Sequence, residues 1–543
     1  MLKQCLLAAL SCGLLSQASA EQARPNIIFI LTDDHNQQDL GCYGNPIVQT
    51  PHIDQMANEG VLFENASITS AICTPSRITY LLGQYERKHG VNFNSGTAVS
   101  QAAWAHSYPV LLREAGYFTG YVGKNHSPIG ALGYKTGLME ASFDFWYAGH
   151  GHIRFYPKKV HEIFQHAKND TQVELVSEGV SEFLASEKPS YLGGAQQFLT
   201  TRPKDQPFCL SICLNVPHGA GTSSMKLLPT DDPLYRTAYR DQIETLPLPS
   251  HYIPRNEIKT PKLPPEVLHT DYRQTGYNWV DNPADVRERR IRHYQTITGI
   301  DRMVGKIRTQ LNQLNLADNT VIIFSSDHGL FAGQHGLGGK ALNYEVCLAV
   351  PHIIYDPRLP SDKRGQRLPH LIQSIDVAPT LLELAGLPTS AHMQGQSYLP
   401  LLKDSDSNWR THAFAENLWS TYFGNPRIES VRTQRWKYIR YFKNDRSPWK
   451  DLEGAEGVRL YQVSDAQRKL YNHWRTASIN GEQPVYEELF DLKNDPHESS
   501  NLAQLEEHSP VLKSLREKCR EHVSHALDNS EQASVIALPA DKD

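Results

Sequence analysis

Two pairs of polar residues each follow a short apolar run. Asp33-Asp34 comes just after NIIFIL, and Asp327-His328 comes just after TVIIFS. Such runs predict strands buried on both faces of a parallel sheet, and open α/β sheets place their sites at the carboxyl ends of strands. Adjacent carboxylates repel each other unless a cation lies between them, and oxygen ligands suit Ca²⁺ or Mg²⁺. The two pairs together predict a divalent-cation site; the alternative is that each aspartate only caps a turn.

A third apolar run, FCLSICLNV, ends at Pro217-His218 and predicts a third strand of the same kind. A further stretch reads Cys73-Thr-Pro-Ser-Arg77. Taken by themselves, Cys73 and Arg77 indicate only a thiolate stabilised by a neighbouring cation. Taken by themselves, single histidines or lysines of the chain would be assigned to packing or to the solvated surface.

The stretch from Cys73 to Arg77 resembles the Cys-x-Pro-x-Arg signature of type I sulfatases, in which the cysteine is oxidised to formylglycine before or during export. The residues that follow, Leu81-Leu82-Gly83-Gln84, depart from the usual Leu-Thr-Gly-Arg. Further stretches are similar to family motifs in the same order along the chain: Pro25 to Asp34, Gly123-Lys124-Asn125-His126, Pro217-His218, Ser326 to Gly329, Gly339-Lys340, Tyr344-Glu345 and residues 488–502.

The resemblance implies a role for each matching residue. A divalent cation, Ca²⁺ or else Mg²⁺, would be held by Asp33, Asp34, Asp327, His328 and the modified Cys73. The hydrated aldehyde would be steadied by Arg77 and Lys124. The sulfate and the leaving oxygen would be bound by His218 and Lys340, and the later elimination would be assisted by His126.

The chemistry that follows is hydrolysis of a sulfate ester. One hydroxyl of the hydrated aldehyde at Cys73 would attack sulfur while an acid, His218, protonates the leaving oxygen. The covalent sulfo-enzyme would then release sulfate when a base such as His126 deprotonates the second hydroxyl. A cation together with lysine and arginine would neutralise the charge on the sulfonyl oxygens.

The alternation of strand and helix patterns over the first 400 residues predicts an α/β fold. The resemblance implies a large alkaline-phosphatase-like mixed sheet flanked by helices, with a smaller C-terminal α+β subdomain. Helices are predicted over 376–384 and, after Asn282-Pro283, along an apolar stripe from Ile297 to Leu314. The proline-rich residues 221–281 predict a long surface excursion.

The polar residues 403–408 predict a boundary between a catalytic domain at 21–402 and a subdomain at 411–543. In the subdomain, residues 430–442 predict a strand, and residues 488–502 are expected to end the ordered part.

Residues 1–20 have the features of an export signal, with Lys3, a short apolar run and cleavage after Ala20. A lipoprotein anchored through Cys12 is the alternative. No later segment predicts a membrane span, so we expect a periplasmic or secreted protein. The net charge of −5 does not suggest a nucleic-acid partner. Six cysteines in the mature chain form no disulfide framework, and Cys209 and Cys213 are expected only to pack.

Export and the long excursion favour a sulfated carbohydrate as substrate, either an algal galactan or fucan or a glycosaminoglycan oligosaccharide. His150, His152 and the aromatic Trp146-Tyr147 could bind sugar, or could only pack. A formylglycine-generating or anaerobic maturation enzyme is an implied partner. Two alternatives remain: a phosphate or phosphonate monoester hydrolase of the same superfamily, and a non-catalytic glycan-binding protein with unmodified Cys73.

Overall fold

The structure is a computed structural model. It describes residues 24–92, 97–130, 133–150, 184, 190–218, 229, 231–268, 277–403, 408–419, 426–443, 465–527 and 535–537. The predicted export signal, His152 and most of the predicted domain boundary (404–407) lie outside the described residues.

The strands of the described residues are β1 Asn26–Asp33, β2 Val61–Ser67, β3 Thr97–Val99, β4 Phe118–Asn125, β5 Phe145–His150, β6 Phe208–Pro217, β7 Thr320–Ser326, β8 Phe331–Ala332, β9 Gly338–Gly339, β10 His352–Tyr355, β11 Gln366–Gln373, β12 Ala413–Asn417, β13 Arg427–Arg432, β14 Trp436–Phe442, β15 Tyr486–Asp491 and β16 Val535–Ala537.

The α-helices of the same residues are α1 Pro51–Glu59, α2 Cys73–Leu82, α3 Glu86–His89, α4 Gln101–Trp104, α5 Tyr108–Glu114, α6 Leu138–Ala141, α7 Tyr191–Thr201, α8 Pro233–Thr237, α9 Pro283–Gln313, α10 Glu345–Leu348, α11 Val377–Leu384, α12 Asp465–Ala477 and α13 Ser509–Leu527.

The main sheet has eight strands in the order β11-β2-β10-β7-β1-β6-β4-β5. All neighbours run parallel except β10, which is antiparallel to β2 and to β7. The three predicted strands are β1, β7 and β6, and they are fully buried neighbours at the centre. Their carboxyl ends therefore meet at one edge, as the sequence predicted.

Helices cover both faces of this sheet because its central strands are apolar on both sides. In β1, Phe29 joins the core that packs under α2, α5 and α11, whereas Ile28 and Ile30 join the core under α1, α7 and α9. The mixed α/β class with flanking helices is thus confirmed. Trp146 and Tyr147 of β5 are buried in these two cores, so packing explains them.

Helix α9 confirms a sequence prediction in detail. The side chain of Asn282 accepts a hydrogen bond from the Asp285 N–H (2.9 Å), and Pro283 occupies the first turn. The predicted apolar stripe is buried from Ile297 to Leu311. The second predicted helix begins as a 3₁₀ turn at Ser374–Asp376 and continues as α11.

The C-terminal part contains a second, antiparallel sheet in the order β12-β13-β14-β15, with α13 packed on it. The prediction of one strand over 430–442 was wrong, because a turn at Thr433 to Arg435 folds this stretch into the hairpin β13–β14. The expectation that ordered structure ends with residues 488–502 was also wrong. Helix α13 has a buried face formed by Leu512, Leu515, Cys519 and Val523. Most of the residues between them are polar, so the sequence does not show this face clearly.

The described part of the predicted excursion contains the short helix α8 and several 3₁₀ turns. None of the helices that the structure describes is both long enough and apolar enough to span a bilayer.

Candidate active site at the carboxyl edge of the main sheet

Four adjacent strands deliver polar side chains to one edge of the main sheet. Asp33 ends β1, Asp327 directly follows β7, His218 directly follows β6, and Lys124 lies near the end of β4. Since β7, β1, β6 and β4 are neighbours in this order, residues almost 300 positions apart converge. The structure therefore brings together the carboxylates, the lysine and the histidine that the sequence singled out.

Cys73 is the first residue of α2, a helix whose residues are all buried. Its Sγ lies 3.5 Å from Asp33 Oδ1, 3.1 Å from His328 Nε2 and 3.3 Å from Lys340 Nζ. Cys73 is 0 % exposed, so these polar groups rather than water surround the sulfur. All six cysteines of residues 24–543 are free, and Cys209 and Cys213 pack in the core of β6 as expected.

Arg77, one helical turn after Cys73, binds two carboxylates at once. Its Nε donates to Asp327 Oδ2 (2.9 Å) and its Nη2 donates to Asp33 Oδ2 (3.1 Å). Lys124 Nζ also pairs with Asp33. Burial by itself would raise the pKa of Asp33, but the charges of Lys124 and Arg77 hold it well below its usual range. Asp33 is therefore ionised although it is fully buried.

Asp34 adopts φ 58°, a left-handed conformation that costs a non-glycine residue free energy unless its surroundings fix it. Its N–H donates to Asp327 Oδ1 (3.3 Å), and its Oδ1 accepts from Lys340 Nζ (3.0 Å). The Oδ2 atom has no hydrogen-bond partner among the described residues, and His218 Nε2 lies 3.7 Å away. Burial raises the pKa of Asp34, and Lys340 opposes that shift.

His328 contacts three members of the cluster. Its Nδ1 lies 3.1 Å from Asp34 Oδ1, and its Nε2 lies 3.6 Å from Asp327 Oδ1. Burial alone would lower the pKa of His328, but the nearby carboxylates, Asp327 first, raise it to about 9. The carboxylates thus favour the protonated ring when no cation is bound, whereas a ring that binds a metal ion must be neutral.

These residues fit a divalent cation. Asp33 belongs to two groups of side chains whose ligand atoms lie within 4.8 Å of one another. One group also contains Cys73, Asp327 and His328, and the other also contains Asp34 and His218. Carboxylate oxygens suit hard cations, and the unpartnered Asp34 Oδ2 is a buried acceptor of the kind that a cation satisfies. The site can therefore hold a metal ion.

Two residues near this cluster were missed by sequence reasoning. Ser76 Oγ donates to the Asp327 carbonyl (2.6 Å) and ties α2 to the end of β7; its place inside the Cys73 to Arg77 motif was the available signal. Tyr277 is buried, and this burial raises the pKa of its hydroxyl. Lys340 and Asp34 lie close enough to affect the same pKa, although less than burial does. No local pattern marked Tyr277 within the proline-rich excursion.

The sequence also singled out His126 and His150, which lie at the ends of the neighbouring strands β4 and β5. His126 is buried just beyond β4, two residues after Lys124. His150 ends β5, but its side chain is not among those described. The Asn36 side chain bonds the carbonyls of Leu330 and Val346 at 3.1 and 2.8 Å, which fixes the segment after Asp34.

Tyr344 and Glu345 join the main sheet to the second one. Tyr344 OH donates to Glu488 Oε2 (2.7 Å), and Glu345 pairs with Lys437 (2.9 Å) and with Arg432. The two late motifs therefore dock the C-terminal sheet.

The carboxylates, the cationic side chains and Cys73 form one buried cluster at the carboxyl edge of the main sheet, which is where α/β folds place their active sites. The Sulfatase family model matches residues 25–387, and the chain belongs to this family. A second model, "N-sulphoglucosamine sulphohydrolase, C-terminal", matches residues 333–456.

Similar proteins span nearly the whole chain. An N-acetylglucosamine-6-O-sulfatase of Bacteroides thetaiotaomicron is 26% identical, over 96% of this chain and 90% of its own length. An ulvan-active sulfatase of Formosa agariphila is 27% identical, over 93% of this chain and 80% of its own length. Among solved structures, one in complex with its substrate D-glucosamine-2-N,6-O-disulfate has a TM-score of 0.62 at 23% identity, covering 93% of this chain and 99% of that one.

The phosphonate monoester hydrolase of Agrobacterium radiobacter has the same TM-score, 0.62, at 19% identity. This match covers 95% of this chain and 100% of the hydrolase. Since both likenesses are below 25% identity, they establish the fold, and the fold is shared by sulfatases and phosphonate hydrolases.

Proposed function

We propose that the chain removes sulfate from a sulfated carbohydrate, with Cys73 oxidised to formylglycine as the nucleophile. The observation that carries the proposal is the position of Cys73, whose Sγ lies within 3.5 Å of Asp33, His328 and Lys340 at the start of a buried helix. The relatives named above support carbohydrate as the substrate class, because their names specify glucosamine and ulvan sulfates.

When present, a divalent cation, for which we propose Ca²⁺ over Mg²⁺, would polarise the sulfonyl oxygens, and the hydrated aldehyde would offer one hydroxyl for attack and one for release. Asp33, Asp34, Asp327 and His328 are the proposed metal ligands, with residue 73 itself. The ligand atoms of Asp33, Cys73, Asp327 and His328 already lie within 4.8 Å of one another, so little rearrangement would be needed.

The cations of the site then act on the substrate. Lys340 contacts residue 73, whereas Lys124 and Arg77 pair with the neighbouring Asp33. These three cations would neutralise the negative charge that keeps a sulfate ester away from a nucleophile. His218 is the proposed acid for the leaving oxygen, because its ring is only about one-tenth exposed and faces the same carboxylates. His126 is the proposed base for release.

We further infer that the chain is exported through residues 1–20 and reaches the periplasm or the medium, after a maturation enzyme has oxidised Cys73. The catalytic domain would comprise 21–402 and the smaller subdomain 411–543, since the antiparallel sheet begins at Ala413.

The test combines mass spectrometry of the peptide that contains residue 73 with activity assays. Active protein is digested, and the mass of the peptide that contains residue 73 is measured by mass spectrometry. We expect the mass of an aldehyde in place of the thiol. The same sample is then assayed for sulfate released from defined sulfated oligosaccharides, and for turnover of paired aryl sulfates, phosphates and phosphonates. A fully active enzyme with only unmodified Cys73 contradicts the nucleophile, and faster turnover of phosphate or phosphonate esters contradicts the substrate class.

A further inference from the structure

The connection between His328 and Lys340 is a short hairpin, and both of its ends lie in the candidate active site. Strands β8 and β9 form only two residue pairs, and Lys340 directly follows β9. Its Nζ reaches Asp34 Oδ1 (3.0 Å) and Cys73 Sγ (3.3 Å). A hairpin of two strands is at best marginally stable by itself. The position of Lys340 therefore depends on what holds this hairpin in place.

Residues 251–253 of the proline-rich excursion, the docking segment, pair with the tip of the hairpin. The Ile253 N–H donates a hydrogen bond to the Gly333 carbonyl (3.1 Å). In the opposite direction, the His335 N–H donates to the His251 carbonyl (2.7 Å). The residues between them form an antiparallel bridge. The docking segment thus satisfies backbone groups of the turn, as a third strand would.

Tyr252, in the middle of the docking segment, fastens the hairpin through its side chain. Gly333 has φ +98°, and a Cβ there would lie 2.4 Å from the Tyr252 ring, so the ring lies directly on the turn. The Tyr252 hydroxyl donates to the Val280 carbonyl (3.1 Å), and the ring packs in the small apolar cluster that contains Leu330. Tyr252 therefore connects the tip and the first arm of the hairpin to the segment that precedes α9.

The same tip is also held from the C-terminal part. His335 Nε2 lies 2.8 Å from the His497 carbonyl, which can only accept, so Nε2 carries the proton. Burial lowers the pKa of His335 to about 4, and the ring is neutral at ordinary pH. Farther along the excursion, Lys262 Nζ donates to the carbonyls of Glu498 (2.7 Å) and Ser499 (3.3 Å). Excursion and hairpin are thus anchored on one turn after β15.

We propose that the docking segment positions Lys340 for the reaction, and that Tyr252 is its principal positioning residue. A lysine ammonium lies at the end of a flexible four-carbon chain, so its placement depends on the backbone from which it extends. A misplacement of about 1 Å can lower a rate by about 10²-fold. The role of Lys340 in hydrolysis belongs to the proposed function, on which this inference rests.

The first test is a double-mutant cycle on a sulfate ester. Tyr252→Ala should lower kcat/KM by about tenfold or more, because Lys340 is no longer held beside residue 73. In a Lys340→Met background the same substitution should have almost no further effect. Tyr252→Phe, which keeps the ring on Gly333, should keep most of the activity. Equal losses from Tyr252→Ala in both backgrounds would mean that Tyr252 only supports the fold, and would overturn the proposal.

Tyr355→Ala is the matched control for this cycle. Tyr355 is also partly buried, but it ends β10 opposite Ile322, away from the carboxyl edge of the main sheet. Its loss should leave kcat/KM nearly unchanged. A loss of activity as large as that of Tyr252→Ala contradicts a specific role for the docking segment.

The second test requires no activity. The protein is treated briefly with acetic anhydride, and acetylation of each lysine is measured by peptide mass spectrometry. Tyr252→Ala should speed acetylation of Lys340 by about fivefold or more, because the hairpin opens more often. Lys124, which β4 holds in the same site, should react as in the wild type. An unchanged rate at Lys340, or an equal increase at both lysines, overturns the proposal.

The two proposals fail separately. Faster acetylation of Lys340 in a chain that hydrolyses no sulfate ester overturns only the proposed function. Sulfate-ester hydrolysis by a chain in which Tyr252→Ala leaves Lys340 equally protected overturns only the positioning role.

Discussion

Three carboxylates within one buried cluster need compensating charge, and this chain supplies it with side chains of opposite sign. Asp33 faces Arg77 and Lys124, Asp34 faces Lys340, and Asp327 faces Arg77. Breaking one partner of a buried pair costs about 3–5 kcal/mol, because the remaining charge is uncompensated. Each substitution in this cluster is therefore expected to affect metal binding and activity together.

Asp327→Asn should weaken metal binding strongly, because it removes the negative charge of one proposed ligand while Arg77 remains positive. We expect activity to fall by orders of magnitude. Calcium should raise the melting temperature of the wild type but hardly that of the variant, since a ligand stabilises in proportion to RT ln(1 + [L]/Kd).

Asp356→Asn is the control for that experiment, because Asp356 is a buried carboxylate that pairs with Arg358 (2.7 Å) instead. It should keep the calcium-dependent rise. A wild type that stays fully active after all divalent ions are removed would rule out the metal assignment.

The loss of hydrolysis rate caused by His218→Ala should depend on the leaving group of the ester. Sugar alcohols are poor leaving groups and need protonation, whereas nitrophenol needs little help. General acid catalysis contributes about 10²–10⁴-fold, so hydrolysis of a sulfated sugar should slow by that factor and hydrolysis of nitrophenyl sulfate by much less. The measurement is kcat over a series of esters. Equal losses across the series would mean that His218 only binds sulfate, and Lys340 or His126 would then be tested as the acid.

At the scale of elements, strand β4 positions Lys124 through the glycine before it. Gly123 has φ +102°, and a Cβ there would lie 2.1 Å from the Cys213 carbonyl of the neighbouring strand β6. Backbone atoms of a central strand cannot move aside as a flexible side chain can. This position therefore requires glycine for two independent reasons.

Gly123→Ala should destabilise the protein by about 2–6 kcal/mol, from the left-handed backbone and from overpacking together. Gly44→Ala is the matched control, because its φ is +97° but no atom lies within 4 Å of the added Cβ. It should cost only about 1–2 kcal/mol. Urea denaturation of both variants measures the difference; equal losses would show that the close contact with β6 is unimportant.

The elements nearest the site were the easiest to predict from the sequence. NIIFIL, TVIIFS and FCLSICLNV are apolar because both faces of their strands are covered, and the residues that follow them mark the edge where they end. The antiparallel direction of β10 could not be predicted, because its four residues carry no directional signal. The position of Tyr277 depends on contacts between distant segments, which no local pattern encodes.

At the scale of the whole molecule, buried ion pairs join the two sheets. Arg87 of α3 is fully buried between Glu416 of β12 (3.0 Å) and Glu429 of β13 (2.6 Å). On the other side of the second sheet, Lys437 pairs with Glu345 and Glu498. Because α3 follows α2, the helix that begins with Cys73, the second sheet supports the active-site helix through charge as well as apolar packing.

Glu86 lies in the same interface and accepts hydrogen bonds from Ser70 (2.8 Å), the Leu418 N–H (3.2 Å) and Tyr471 (3.4 Å). Burial, followed by the charge of Glu416, raises its pKa from 4.5 to about 8. Between these two values the folded protein keeps a proton that the unfolded chain releases. The stabilisation that Glu86 contributes is therefore complete below about pH 4.5 and is lost as the pH rises through about 8.

Glu86→Gln should remove this pH dependence, because glutamine resembles the protonated acid and does not titrate. From pH 5 to 8 the free energy of unfolding of the wild type should fall more steeply than that of the variant, by up to about 1.4 kcal/mol per pH unit. Urea midpoints at several pH values measure both slopes, and any constant effect of the substitution cancels between them. Glu383→Gln, at an exposed position on α11, should keep the wild-type slope. Parallel slopes for wild type and Glu86→Gln would mean that Glu86 is ionised in the folded protein, and that Arg87 neutralises the interface by itself.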